Sequence, residues 1–571
     1  MTFVSNPATH IIHTNTLLLP QLSFEDVVLK GLATDGGLFI PEEIPSTSSW
    51  PSSWPNLSFA ELAYNIFSLY ISPSEIPPED LKDIINRSYS TFRAPEITPV
   101  VTLDEESQIH LLELFHGPTF AFKDVALQFL GNLFEYFLVR RNRNASSSNS
   151  RSHLTVVGAT SGDTGSAAIY GLRNKRDVSV FIMHPAGKVS PVQEAQMTTV
   201  LDANVHNLAV DGTFDDCQDF VKALFSDADM NSTHALAAVN SINWARILAQ
   251  ITYYFHAYAS LMKSGRFQPG SGEKVRFVVP TGNFGDVLAG YFAKRMGLPI
   301  EKLVVATNEN DILDRFWRSG YYEKKAVHGR EAEGGFAHDG AKAHEDGVRE
   351  TLSPAMDILV SSNFERLLWF LAYEVYGADA KDVKERREVA GRKVKGWLED
   401  LKTSGGFGVD KAVLEAAKRD FESERVSDKE TLETIRAIYN HKGAPAATRE
   451  VSQGTGGTRH NGKYILDPHS AIGVAGAQRS AKRSGPPSTH HIALATAHPA
   501  KFASAVEEAL KDEKDFQFKN LLPEQFVGLE KMEKRVTHVK KADGIDGLRK
   551  LIRERVPASD RTEETRKDFH V

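Results

Sequence analysis

The chain has 571 residues, 41% of them hydrophobic and 25% charged, with a formal net charge of −7. That length buries a large core and divides into two or three domains, and the acid excess excludes a general binder of nucleic acid or of membrane surfaces. A lone cysteine, Cys217, excludes an internal disulfide framework and any cysteine-built metal centre.

Residues 1–98 form an opening region. No basic residue precedes Lys30, so neither a secretory signal nor a mitochondrial transit peptide is expected. No apolar run approaches the ~18 residues of a membrane-spanning helix, and the expected setting is cytoplasmic. GLATDGGLFIPEEIP (31–45) is dense in turn formers around Leu38, Phe39 and Ile40. FAELAYNIFSLYI then reads as a helix with one apolar face.

From Glu96 a strand, loop, helix order repeats. ITPVVTL and IHLLELF read as strands, and HGPTFAFKDVALQFLGN as a turn feeding a buried helix with Lys123 in its first turn. A lysine beside a core loses hydration and is driven toward its neutral, nucleophilic form. The alternatives are a lysine that snorkels outward or pairs with Asp124. LTVVGAT, VSVFIMHP, NVHNLAV, ALAAVN, KVRFVVP and EKLVVATN are further strands. This alternation predicts an α/β fold with a mainly parallel sheet. Two polar stretches, 324–350 and 453–463, read as insertions, and 379–402 as a helix with a solvated charged face. An apolar strand before TAHPAKF, more amphipathic helix and a frayed polar tail close the chain.

Three constellations carry chemistry. PTGNFGD supplies Gly282, Asn283, Phe284, Gly285 and Asp286 between a strand and a helix start. Successive N–H groups and a helix N-terminus cradle an anion there, or the segment is a plain turn with an Asp cap. ATSGDTG supplies Thr160, Ser161, Gly162, Asp163 and Thr164, suited to a carboxylate or phosphate, or else to helix capping by Asp163 or Ser161. HPAGKVSP offers Lys188, and NSINWARI offers Asn240, Ser241, Asn243 and Arg246, as local polar and cationic groups for an anionic substrate. Thr496 follows an apolar strand, where a hydroxyl faces a pocket or makes a turn. The histidines, among them His116, His469, His490 and His491, show no metal-ligand spacing, so no metal is assigned.

In this order HGPTFAFKD, ATSGDTG, HPAGKVSP, DGTFDDCQ, NSINWARILAQ, PTGNFGD and TAHPAKF resemble the threonine synthases, and the long chain with its charged insertions resembles the fungal type. The resemblance implies a pyridoxal 5'-phosphate enzyme of fold type II (tryptophan synthase β-like), two-lobed with mainly parallel sheets plus an N-terminal region. It places that region at 1–98, a catalytic core at 99–535 with its small lobe near 150–240, and a C-terminal helix and tail at 536–571. It implies that Lys123 forms the Schiff base with the cofactor, that Gly282, Asn283, Phe284, Gly285 and Asp286 hold the cofactor phosphate, and that Thr496 meets the pyridine nitrogen. Asp163 would lie by the cofactor ring. Thr160, Ser161, Gly162, Thr164, Asn240, Ser241 and Asn243 would surround the substrate, with Lys188 and Arg246 at its phosphate. Asp163 stands where many relatives of this fold carry Asn. The implied reaction is O-phospho-L-homoserine and water to L-threonine and phosphate, the last step of threonine biosynthesis, by a monomer or homodimer. The alternatives are a phospho-lyase or dehydratase on a related amino acid, and a non-catalytic cofactor-binding protein.

Overall fold

The long apolar strand segments are buried on both faces, as central strands of parallel sheets require. Every residue of Val178–Pro185 and of Thr489–Ala495 is buried in the computed structural model, which describes residues 11–13, 22–33, 36–47, 50–145, 151–325, 342–343, 347–441, 458–460, 463–484 and 489–556. Two sheets result. The larger has six strands in the order Phe421–Arg425, Ile300–Thr307, Lys274–Pro280, Thr489–Ala495, Ile109–Glu113 and Val100–Asp104. All its pairings are parallel except the last, where Val100–Asp104 runs antiparallel to its neighbour. The smaller has five parallel strands in the order Thr537–Lys540, Val205–Asp211, Val178–Pro185, Leu154–Ala159 and Leu236–Ala237.

Two strands depart from the sequence reading. Phe421–Arg425, with the sequence FESER, is an edge strand whose charged side chains need cover on one face only. Thr537–Lys540 precedes the expected C-terminal helix, Gly544–Arg555, and completes the small sheet at its other edge. That helix buries Leu548 and Ile552 against the same lobe, and Arg549 and Arg553 pair with Asp227 and Asp229. The tail after residue 556 lies outside the described residues, as do most of the 324–350 and 453–463 stretches. Within the first of these, Lys342–Ala343 pairs with Arg349–Glu350.

The opening region packs as helices onto the core. Phe59–Phe67 starts with a capping box between Ser58 and Glu61 and lies against the helix Trp244–Lys263. Pro78–Tyr89 lies against Lys123–Arg141. The described residues include no helix long and apolar enough to cross a membrane.

Lys123–Arg141 is buried without a break from Lys123 to Phe134, as a helix in the middle of a large protein is. It meets the small lobe's first helix, Asp163–Leu172, glycine against backbone. A Cβ on Gly131 would collide with the Gly171 carbonyl oxygen, and one on Gly171 would fall 2.5 Å from the Leu127 carbonyl oxygen. Each helix begins at a candidate site residue, so this close approach sets their separation. Gly131→Ala therefore pushes the helices apart; an overpacking loss of ~1–3 kcal/mol is expected in denaturant unfolding.

Candidate active site

A cleft of about 1910 Å³ opens between the two sheets, and Lys123, Thr160, Ser161, Asp163, Thr164, Lys188, Asn240, Ser241, Arg246, Gly282–Asp286 and Thr496 all line it. Lys123 is the first residue of its helix and is 8% exposed. The turn before it is held from several sides. Arg93 donates to the Gly117 and Pro118 carbonyls, and Asp124 accepts from the Thr119 N–H and hydroxyl, both at 2.7 Å. Phe122 N–H donates to Thr496 O at 2.7 Å, and His498 N–H to Phe120 O at 3.1 Å. These bonds sew the lysine to the end of strand Thr489–Ala495. Asp124 thus serves the turn and does not pair with Lys123; burial raises its carboxyl to about 6.

Lys123 faces the small lobe. Its Nζ lies 4.0 Å from Asp163 Oδ2. Burial drives its proton affinity down, Asp163 opposes that, and the charges of Lys501 and Arg246 add to it. Asp163 also accepts from Lys501 Nζ at 2.7 Å and from Gln193 Nε2 at 2.8 Å. Burial works to raise this carboxyl, but Lys501 and Lys123 overrule it and hold it well below the usual carboxylate range. Lys501 is 1% exposed and donates as well to Thr119 O at 2.8 Å. The sequence alone assigns no role to Lys501, the lysine of TAHPAKF, and gives no signal at Gln193.

Asp163 opens its helix without capping it by a side-chain bond, and so does not serve as the helix cap. The loop before it is shaped by Thr160, whose Oγ1 accepts from Gly162 N–H at 3.0 Å and Gly165 N–H at 2.9 Å. Gly162 has φ 152°, and a Cβ there would strike the Gln193 amide. Ser161 is exposed and Thr164 half-buried at the rim.

The third loop follows strand Lys274–Pro280 and starts the helix Gly285–Arg295. Phe284 takes a left-handed φ of 65°, and its ring is anchored in the core against Trp317 and Phe364. Gly282 lets the backbone run under the 351–363 segment, since a Cβ there would lie 2.9 Å from Ile358 Cδ1. Asp286 is engaged at the hydroxyls of Tyr253 and Tyr254, and burial raises its carboxyl to about 7.

Of the candidate cations, Lys188 is exposed at the mouth. Arg246 is 4% exposed, with one bond to Val239 O at 3.3 Å and a buried Nε without a partner. Burial brings its proton affinity down to about 10. Asn240 is exposed, Ser241 half-buried. Asn243 does not line the cleft: it caps the helix Trp244–Lys263 and donates to Val28 O at 2.9 Å. His469 does line it, with Nδ1 on Asp467 at 2.9 Å and Nε2 accepting from Ala355 N–H at 3.2 Å. No group of acidic or histidine side chains among the described residues could hold a metal ion.

A weakly basic amine at one wall and a glycine-bracketed helix start at another form a donor set for an aldehyde bearing a phosphate. Residues 92–361 match the family described as pyridoxal-phosphate dependent enzyme, which places the chain in that class, with the two mainly parallel sheets of fold type II. Residues 13–89 match the threonine synthase N terminus, and 470–552 the C-terminal part of threonine synthase. A threonine synthase of Saccharomyces cerevisiae is 54% identical over 531 residues, spanning 91% of this chain and 93% of the relative. The crystal structure of threonine synthase from yeast superposes with a TM-score of 0.84 at 50% identity, covering 96% of this chain and 99% of that one. The pyridoxal-phosphate-bound threonine synthase from Brucella melitensis gives 0.77 at 37% identity, covering 96% and 100%. The chain belongs to the threonine synthase family.

Asp163 is the nearest charge that favours the ammonium form of Lys123. Asp163→Asn should lower the pH at which the Lys123 amine becomes reactive. Acylation of Lys123 in cofactor-free protein, followed across pH by peptide mass, checks this; superimposable profiles would count against it.

Proposed function

We propose that the cleft converts O-phospho-L-homoserine and water into L-threonine and phosphate. The observation that carries this reading is the meeting in one cleft of a buried, weakly basic lysine, a glycine-bracketed helix start and a buried arginine with an unpartnered Nε. The full-length likeness to threonine synthases supports it.

In this reading Lys123 holds the cofactor, the Gly282–Asp286 loop takes its phosphate through backbone N–H groups, and Thr496 offers a hydroxyl to its ring nitrogen. The bound cofactor supplies an electron sink for charge developing at the substrate's α carbon. Lys123 would accept and return protons at that carbon, a task its burial suits by favouring the neutral amine. Asp163, held ionised by Lys501, stays beside that amine as a fixed negative charge. Ser161 and Thr164, at the start of a helix, receive the substrate carboxylate. Arg246 and Lys188 receive the leaving phosphate, Arg246 through its planar fork.

The same reading treats 1–98 as an N-terminal region and 99–535 as the catalytic core, with 536–571 attached to the small lobe by the strand Thr537–Lys540. It places the enzyme in the cytoplasm, as a monomer or homodimer. A single cysteine fits a reducing compartment.

Product analysis tests the reading. Enzyme with pyridoxal phosphate and O-phospho-L-homoserine should yield threonine and phosphate in equal amounts, and Lys123→Ala should lose both turnover and the cofactor's visible absorption. An oxo acid in place of threonine, or no phosphate release, overturns it. Arg246→Ala and Lys188→Ala should each raise KM for the phosphorylated substrate, Arg246→Ala by on the order of tenfold or more, as loss of a charge-assisted bond implies. Unchanged KM values would remove these residues from the phosphate site.

A further inference from the structure

Beneath the glycine loop lies a second buried arginine. Arg366, in the helix Phe364–Val375, is 0% exposed. Its guanidinium makes bonds to uncharged oxygens: Nε to Phe39 O at 2.8 Å, Nη2 to Ile242 O at 2.7 Å, and Nη1 to Asn363 Oδ1. Among the described residues no carboxylate forms an ion pair with it. Glu365 acts on it through space while accepting from Leu38 N–H. A buried cation without a counter-charge is costly, and burial pushes this guanidinium down to about 9.

The Arg366 bond also decides how Asn363 is oriented. With Oδ1 taken by a guanidinium, the other end of the amide must be Nδ2, a donor. That group donates to Asn283 O at 3.0 Å and to Ser241 O at 3.1 Å. Asn363 N–H donates to Asn283 O as well, at 3.0 Å. The Asn283 carbonyl is thus pinned toward Asn363. Because the peptide is planar and trans, the N–H of Phe284 points the opposite way. Asp286, the acid of this loop, does not balance Arg366, since burial raises it to about 7 and its bonds go to two tyrosines.

We propose that Arg366 is a positioning residue for the cofactor phosphate: through Asn363 it fixes the Asn283–Phe284 peptide, and its unbalanced charge is met by the phosphate dianion held at that loop. The proposal rests on the reading that the Gly282–Asp286 loop takes that phosphate. The guanidinium's Ile242 bond and the Ser241 bond of Asn363 join the same device to the loop carrying Asn240, just before the helix that holds Arg246. Its Phe39 bond joins it to the opening region.

A pair of ligands differing only in the phosphate separates this role from a general structural one. Pyridoxal phosphate and pyridoxal would each be titrated into cofactor-free protein by visible absorption, for the wild type, Asn363→Ala, Arg366→Met and Arg366→Lys. Asn363→Ala and Arg366→Met should weaken pyridoxal phosphate by on the order of tenfold or more while leaving pyridoxal within about twofold, as loss of a charge-assisted contact to one group implies. Arg366→Lys, which keeps the charge but not the fork, should recover part of the selectivity. Equal weakening of both ligands, or none of either, overturns the proposal. If Arg366→Met does not fold, Asn363→Ala, which leaves the guanidinium in place, decides the question on the same criteria. A wild type without preference for the phosphorylated ligand instead overturns the assignment of the loop. A preference kept intact in every variant overturns only the role of Arg366.

Discussion

Two lysines and one carboxylate, all buried, meet at the base of the cleft, and their balance governs the rest of it. Lys123 and Lys501 come from the large lobe and Asp163 from the small one, so the ion pairs cross between the sheets. Burial alone would raise the carboxyl of Asp163, and the two lysines beside it hold it ionised. Since Asp163 lies closer to Lys501, its charge is spent mainly there, which leaves Lys123 weakly supported and readily neutral. Gln193 and the Thr119 carbonyl complete the arrangement by fixing where Asp163 and Lys501 point.

The topology explains why these groups meet. Lys123, Thr160, Lys188, Gly282 and Thr496 each follow a strand of one of the two sheets, at its carboxyl end. Parallel strands put all such ends on one edge, and helices that start there aim their N-termini at the gap. Two sheets face each other across that gap, one bringing the lysines and the glycine loop and the other the Thr160–Thr164 loop. The close helix pair at Gly131 and Gly171 sets the distance between them.

Much of this was legible in the sequence because it is local. The Lys123 turn, both glycine loops and most strands announce themselves through apolar runs ending in glycine, and the order of the motifs identified the family. What stayed hidden depends on distant partners. Lys501 looks like any lysine after a proline until Asp163, far away in the chain, is placed beside it. Arg366 sits in FERLLWF beside Glu365 at the start of a mainly apolar helix, and only folding shows its bonds to Phe39 and Ile242. The strand FESER lacks the apolar signature because its edge position spares it from full burial, and THVK is too short to stand out from the charged residues around it. Asn243 misled in the other direction: its neighbours line the cleft, yet helix geometry turns it onto Val28.

The strand Thr537–Lys540 bears on how the chain is made. It covers one edge of the small sheet by pairing with Val205–Asp211, some 330 positions earlier. During synthesis on the ribosome that edge stands open from the emergence of Val205–Asp211 until Thr537–Lys540 has followed. At ~5–20 residues per second this exposure lasts tens of seconds. The large sheet waits in the same way, since Thr489–Ala495 must slot between Lys274–Pro280 and Ile109–Glu113. Neither lobe can therefore finish folding as an independent early unit, and a nascent chain of this enzyme presents two unfinished sheets to whatever chaperones attend it.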